Sequence, residues 1–101
     1  MMVIQPPIRD EILQILRQHH AEIAAYGVSS IALFGSVARN EATTKSDVDL
    51  LVEFDRPIGL FEFIRVKIYL EKILGIEVSL VEREAVRKEL RDKVFSEALY
   101  A

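Results

Sequence analysis

The chain has 101 residues, half of them hydrophobic, with 13 Lys and Arg against 16 Asp and Glu, a formal net charge of −3 and no cysteine. That length allows one compact domain with a real core. The acidic balance argues against a sequence-independent nucleic-acid binder, which needs a basic face to neutralise phosphates, so no direct DNA binding is expected. The lack of cysteine excludes disulfides and thiolate metal sites.

In chain order, M-M-V-I-Q-P-P-I-R-D has no long apolar core of the kind a signal peptide needs. The longest apolar runs fall short of a membrane span, so a soluble cytoplasmic protein is expected. Pro6-Pro7 precede a helical pattern in which Ile8, Ile12, Ile15, Leu16, His19 and Ile23 recur, with Gly27 as its stop. Ser29 to Phe34 reads as a short buried strand ending at Gly35, and Ser36 to Glu41 as a short helix. A polar loop, Ala42 to Ser46, leads to a second strand from Asp47 to Phe54. After turn chemistry at Asp55–Gly59, Leu60 to Leu74 is a helix with apolar residues on most sides, either deep in the core or partly at a partner surface. Gly75 caps it, Ile76 to Val81 alternates as a third strand, and Glu84 to Tyr100 closes with a helix. The run from Glu82 to Lys93 reads as a solvated face with i,i+4 ion pairs. The expected class is α/β (α+β): a small mixed sheet with helices packed against it, one domain over 1–101, its motif core at 29–81.

The chemistry concentrates between the first two strands. Asp47 and Asp49 lie at i and i+2, so on a strand they leave the same face about 6–7 Å apart. Side by side and unpaired they repel, and oxygen ligands so placed suit Mg²⁺, which is held by one or two carboxylates plus substrate phosphates. Gly35 permits φ > 0 and a close backbone approach. Ser36 opens a helix whose first N–H groups lack intrahelical partners and can bind phosphate oxygens. One short segment thus offers phosphate donors and, ten residues on, two metal ligands.

G35-S36 followed by S46-D47-V48-D49-L50-L51-V52 resembles the signature of the polymerase β-like nucleotidyltransferases. From about Ile31 to the C-terminus, F34-G-S-V-A-R39 included, the chain resembles their smallest branch, the minimal nucleotidyltransferases (MNT). That resemblance implies a nucleotidyltransferase fold and Mg²⁺-dependent transfer of a nucleoside monophosphate, AMP from ATP, to a hydroxyl. It implies that Gly35 and Ser36 hold the triphosphate while Asp47 and Asp49 hold the metal and carry catalysis. It also implies a HEPN-domain partner, with this chain as antitoxin to an RNase toxin, and self-association is a further expectation at this size.

Three more residues belong to the expected nucleotide site, each beside a plainer role. Arg39 contacts a phosphate or pairs with Glu41. Lys45 neutralises triphosphate charge or stays solvated, and Ser46 contacts nucleotide or fixes its loop by local hydrogen bonds. The sequence departs from the family where a third carboxylate is expected, in V78-S79-L80-V81: Ser79 is neutral and a poor base. Glu77, two residues away on the same strand face, is the nearest substitute but is displaced by about 6–7 Å. The departure leaves two readings, an enzyme working without that carboxylate and a degenerate antitoxin-like subunit that neutralises a HEPN RNase by binding. Asn40 also differs, since the family often has glycine there.

Overall fold

Leu50, Leu51 and Val52 form an unbroken apolar run because their strand is covered on both faces. The computed structural model describes residues 6–101; residues 1–5, the first half of the stretch read for a leader, lie outside it. Its elements are α1 (Arg9–Gln18), α2 (His20–Ala25), β1 (Val28–Phe34), α3 (Gly35–Ala38), β2 (Val48–Phe54), α4 (Leu60–Leu74), β3 (Val78–Glu82), two 3₁₀ turns (Arg83–Ala85 and Lys88–Leu90), α5 (Arg91–Glu97) and β4 (Leu99–Tyr100). The sheet order is β3-β2-β1-β4. β1 runs antiparallel to β2 and β4, and β2 runs parallel to β3. The sheet is therefore mixed, as expected, with α4 as the crossover that a parallel pair requires. Among the described residues no helix is long and apolar enough to cross a membrane.

Alternation along the strands divides the core. Leu33, Leu50 and Val52 meet Leu16, Ile23, Val66 and Leu70 on the face covered by α1, α2 and α4. Ala32 and Leu51 meet Val86, Val94 and Phe95 on the other, covered by the C-terminal segment. The middle of β2 is thereby dry on both faces, with Asp49 half-buried near its start and Glu53 exposed near its end.

Several boundaries differ from expectation. The first helix breaks at His19, whose ring Nδ1–H donates to the Ile15 carbonyl at 2.8 Å while its own backbone N–H is shared between Ile15 and Leu16. Asp47 precedes β2, which starts at Val48. The closing helix, read over Glu84 to Tyr100, is mostly not one. Val86 and Arg87 have extended ψ values of 130° and 136°, which splits the segment into two 3₁₀ turns and the short α5. The Arg91 guanidinium takes up carbonyls freed by that break, donating to Val86 O at 3.0 Å and Glu84 O at 3.4 Å. The charged run does not form the expected i,i+4 pairs either. Arg83 reaches Glu53 on β2 at 3.5 Å and lies 4.1 Å over the Phe95 ring. The chain then ends as a fourth strand, with Ala101 N–H donating to Ile31 O at 3.0 Å.

Candidate active site

β1, α3 and β2 build the site as one continuous turn. Phe34 is the register partner of Asp49, so Gly35 lies beside the Asp49 side chain. Gly35 has φ +74, and a Cβ there would collide with the Asp49 carboxylate. Glycine is thus required twice, by its backbone conformation and by the carboxylate packed against it. α3 follows at once, and Arg39 closes it with its N–H on the Gly35 carbonyl at 3.1 Å. Asn40 has φ +59. That left-handed position is one asparagine tolerates better than most residues other than glycine.

Asp49 sits mid-sheet, between Phe34 on β1 and Ser79 on β3. Its carboxyl is raised above the ordinary carboxylate value, first by burial, then by the Asp47 charge, and Arg39 partly offsets this. A half-buried carboxylate beside a second negative charge is the donor set a hard cation relieves. These two oxygens-bearing side chains fit Mg²⁺. Among the described residues, no group of three or more His, Cys, Asp or Glu side chains is placed to hold a metal. Glu77 therefore does not complete a three-carboxylate set in this arrangement.

The third-carboxylate question receives a geometric answer. Ser79 is the register partner of Asp49, so serine stands on the adjacent strand directly beside that carboxylate. Asp47, Glu77 and Ser79 line a cleft of about 350 Å³, closed on the far side by Phe63 and Lys67 of α4. Lys67 was not among the expected site residues. No sequence signal marked it: Lys67 is one of two lysines in Leu60–Leu74, a helix that also carries Glu62, Arg65 and Glu71. A larger cavity, about 450 Å³, lies at the opposite end of β2, around Glu53–Ile58 and Arg83. Its two arginines pair with acids of its own lining, Arg56 with Asp55 at 2.8 Å and Arg83 with Glu53, and it is remote in sequence and strand position from Asp47 and Asp49.

The remaining expected residues fall in local networks. Ser46 Oγ accepts from the Thr43 N–H at 2.9 Å, and the Lys45 N–H donates to Thr43 Oγ1 at 3.2 Å, which fixes the loop before Asp47. Lys45 is exposed, as is Asp47. Arg39 pairs with Glu41 and with Glu97 of α5, each at 3.0 Å, tying α3 to the C-terminal segment. Its positive charge also favours the ionised form of Asp49. Arg39→Ala is therefore expected to shift the Asp49 titration upward, read by carboxyl ¹³C NMR; an unchanged or lowered value would contradict that coupling.

Comparison with known proteins places the fold in a family. The nucleotidyltransferase domain family matches residues 9–101. A predicted protein adenylyltransferase of Methanocaldococcus jannaschii, MJ0126, is 41% identical over 90 residues, covering 88% of this chain and 92% of the relative. The protein adenylyltransferase MntA of Thermococcus cleftensis is 39% identical over 92 residues, covering 90% of this chain and 93% of the relative. A solved structure of a predicted minimal nucleotidyltransferase superposes with a TM-score of 0.71 at 37% identity, covering 86% of this chain and 93% of that one. The fold alone extends further, to a chain from the complex of a tri-AMPylated Shewanella oneidensis HEPN toxin with its MNT antitoxin, at 20% identity, a TM-score of 0.56, and coverage of 91% of this chain and 67% of that one. The chain belongs to the nucleotidyltransferase domain family, in its minimal, MNT-type branch.

Proposed function

We propose that this chain is a Mg²⁺-dependent protein adenylyltransferase of the MntA type, moving AMP from ATP to a hydroxyl on a HEPN-type toxin and so acting as its antitoxin. The carrying observation is the seating of the Asp49 carboxylate against Gly35, which joins the phosphate-binding turn to the metal pair. Relatives covering nine-tenths of this chain are named as protein adenylyltransferases, and a fold neighbour comes from an AMPylated HEPN toxin complex. The reading treats 1–101 as one cytoplasmic catalytic domain.

Asp47 and Asp49 would hold the Mg²⁺, which supplies charge neutralisation at the phosphates when bound. Gly35, Ser36 and the first N–H groups of α3 bind the triphosphate, with Lys45 and Ser46 at the rim. Arg39 braces α3 through Glu41 and Glu97. The acceptor oxygen bonds to the α-phosphorus, the α–β bridging bond breaks and pyrophosphate leaves. The acceptor proton cannot go to Ser79, so in this reading Glu77, which lines the same cleft, or water receives it.

Calorimetric titration with ATP tests the metal–nucleotide site. Binding should require Mg²⁺ and be lost in Asp47→Asn; ATP binding indifferent to both would contradict the assignment. A second reading, a degenerate subunit that neutralises its toxin by contact, is favoured by one observation: serine stands beside Asp49 where a third carboxylate would be.

A further inference from the structure

α4 carries two kinds of apolar side chain. Val66 and Leu70 are sealed in the core, whereas Leu60, Phe61, Ile64 and Ile68 are 71, 80, 40 and 59% exposed. Those four recur at i, i+1, i+4 and i+8, so they form one stripe along the solvent side of the helix. Scattered exposed apolar residues need no explanation, but four on one helix face mark an interaction surface.

The stripe has two distinct flanks. Arg65 and Lys72, seven residues apart and both exposed, follow one side. On the other side, Phe63 and Lys67 line the cleft that holds Asp47 and Ser79. An apolar groove of about 300 Å³ begins at Leu60 and shares Phe63 and Leu80 with that cleft. Stripe, groove and cleft are thus one continuous surface. Glu71, the acid at the foot of the stripe, is already engaged by the Val78 N–H at 3.0 Å.

We infer that this stripe is the docking platform for the acceptor protein, and that the surface it receives is an apolar helix face with an acidic flank. The inference rests on the acceptor-protein reading above. A protein seated there has its own surface at the mouth of the cleft, which is where its hydroxyl must reach. The cations on the open flank select acidic groups on the partner. They also disfavour a second copy of this chain. An isologous antiparallel pairing would set Arg65 and Lys72 of one copy against the same side of the other, cation against cation.

The test is isothermal titration of this chain with a purified HEPN-domain protein of the same genome. Phe61→Asp and Ile68→Asp alter exposed side chains and leave the core intact. Each should weaken the complex by about 30-fold or more, the loss of a hot-spot side chain, while ATP–Mg²⁺ affinity stays unchanged. Arg65→Glu with Lys72→Glu should weaken the complex and flatten its salt dependence. Wild-type affinity in both aspartate variants would overturn the inference, as would a wild-type chain that does not bind the HEPN protein. A wild-type dimer that Phe61→Asp dissociates without loss of HEPN affinity would assign the stripe to a second copy instead. If the stripe variants lose the complex but the wild-type complex never transfers AMP, docking stands and the adenylyltransferase reading falls.

Discussion

Asp49→Asn is expected to lower AMP transfer by more than about a hundredfold, yet to raise the melting temperature of the metal-free protein at neutral pH. The activity loss follows from the proposed role of Asp49 as one of two carboxylates holding Mg²⁺; losing even an outer partner of a metal ligand costs about 10–100-fold. The stability gain follows from what the carboxylate endures without a cation. Burial and the Asp47 charge raise the Asp49 carboxyl above its ordinary value. The folded chain therefore keeps this proton at pH values where the unfolded chain has released it. Stability falls as pH rises from the unfolded value, about 3.9, through the folded one, and stays lowered above that window. Asparagine has no such proton to lose. The stability gap between variant and wild type should open across that window and close at more acidic pH. Saturating Mg²⁺ and ATP should reverse it, because only the wild type gains from the ligands. Thermal unfolding across pH, with and without ligand, checks each part; a metal-free Asp49→Asn protein less stable than wild type at pH 7 would contradict the account.

Gly35→Ala is the second change with a large expected effect, and it acts on fold and site together. At φ +74 an alanine pays about 1–2 kcal/mol for the left-handed conformation alone. The added methyl would also collide with the Asp49 carboxylate and lie 3.0 Å from its Cγ. Either the turn or the metal ligand must shift, and positioning errors of about 1 Å already cost transfer rates about a hundredfold. The two contributions separate in a double-mutant cycle. In an Asp49→Ala background the collision partner is gone, so Gly35→Ala should cost only the conformational part. The coupling should lie at about 0.5–3 kcal/mol, the range for residues in contact. Denaturant unfolding of the four proteins measures it; strict additivity would mean the contact carries no energy.

What could be read from the sequence was the part governed by local rules. A glycine closing an apolar run, then a D-x-D opening the next, specified β1, α3 and β2 and placed Gly35 and Asp49 correctly in chain order. Their contact needed the Phe34–Asp49 register, which no local pattern states. The C-terminal segment was misread because Val86, Leu90 and Val94 keep a helical spacing. Tertiary contacts override it there: Val86 is buried under Leu51, and the Arg91 guanidinium satisfies the carbonyls that a continuous helix would have bonded. β4 is two residues long and exists only through its pairing with β1. α4 shows the limit of counting apolar residues, since composition alone did not separate Val66 and Leu70, which are buried, from Phe61 and Ile68, which face solvent. Lys67 was passed over for the same reason: its place in the cleft depends on α4 packing beside β3.

Ser79 beside Asp49 makes the enzymatic reading most exposed to refutation. The direct measurement is transfer of label from α-³²P-ATP with Mg²⁺ to a purified HEPN-domain protein, using this chain, Asp47→Asn and Ser79→Asp in parallel. The account predicts label on the acceptor with the natural sequence and none with Asp47→Asn. No label with the natural sequence, but label once Ser79→Asp restores the third carboxylate, would contradict it and leave a subunit that acts by binding alone.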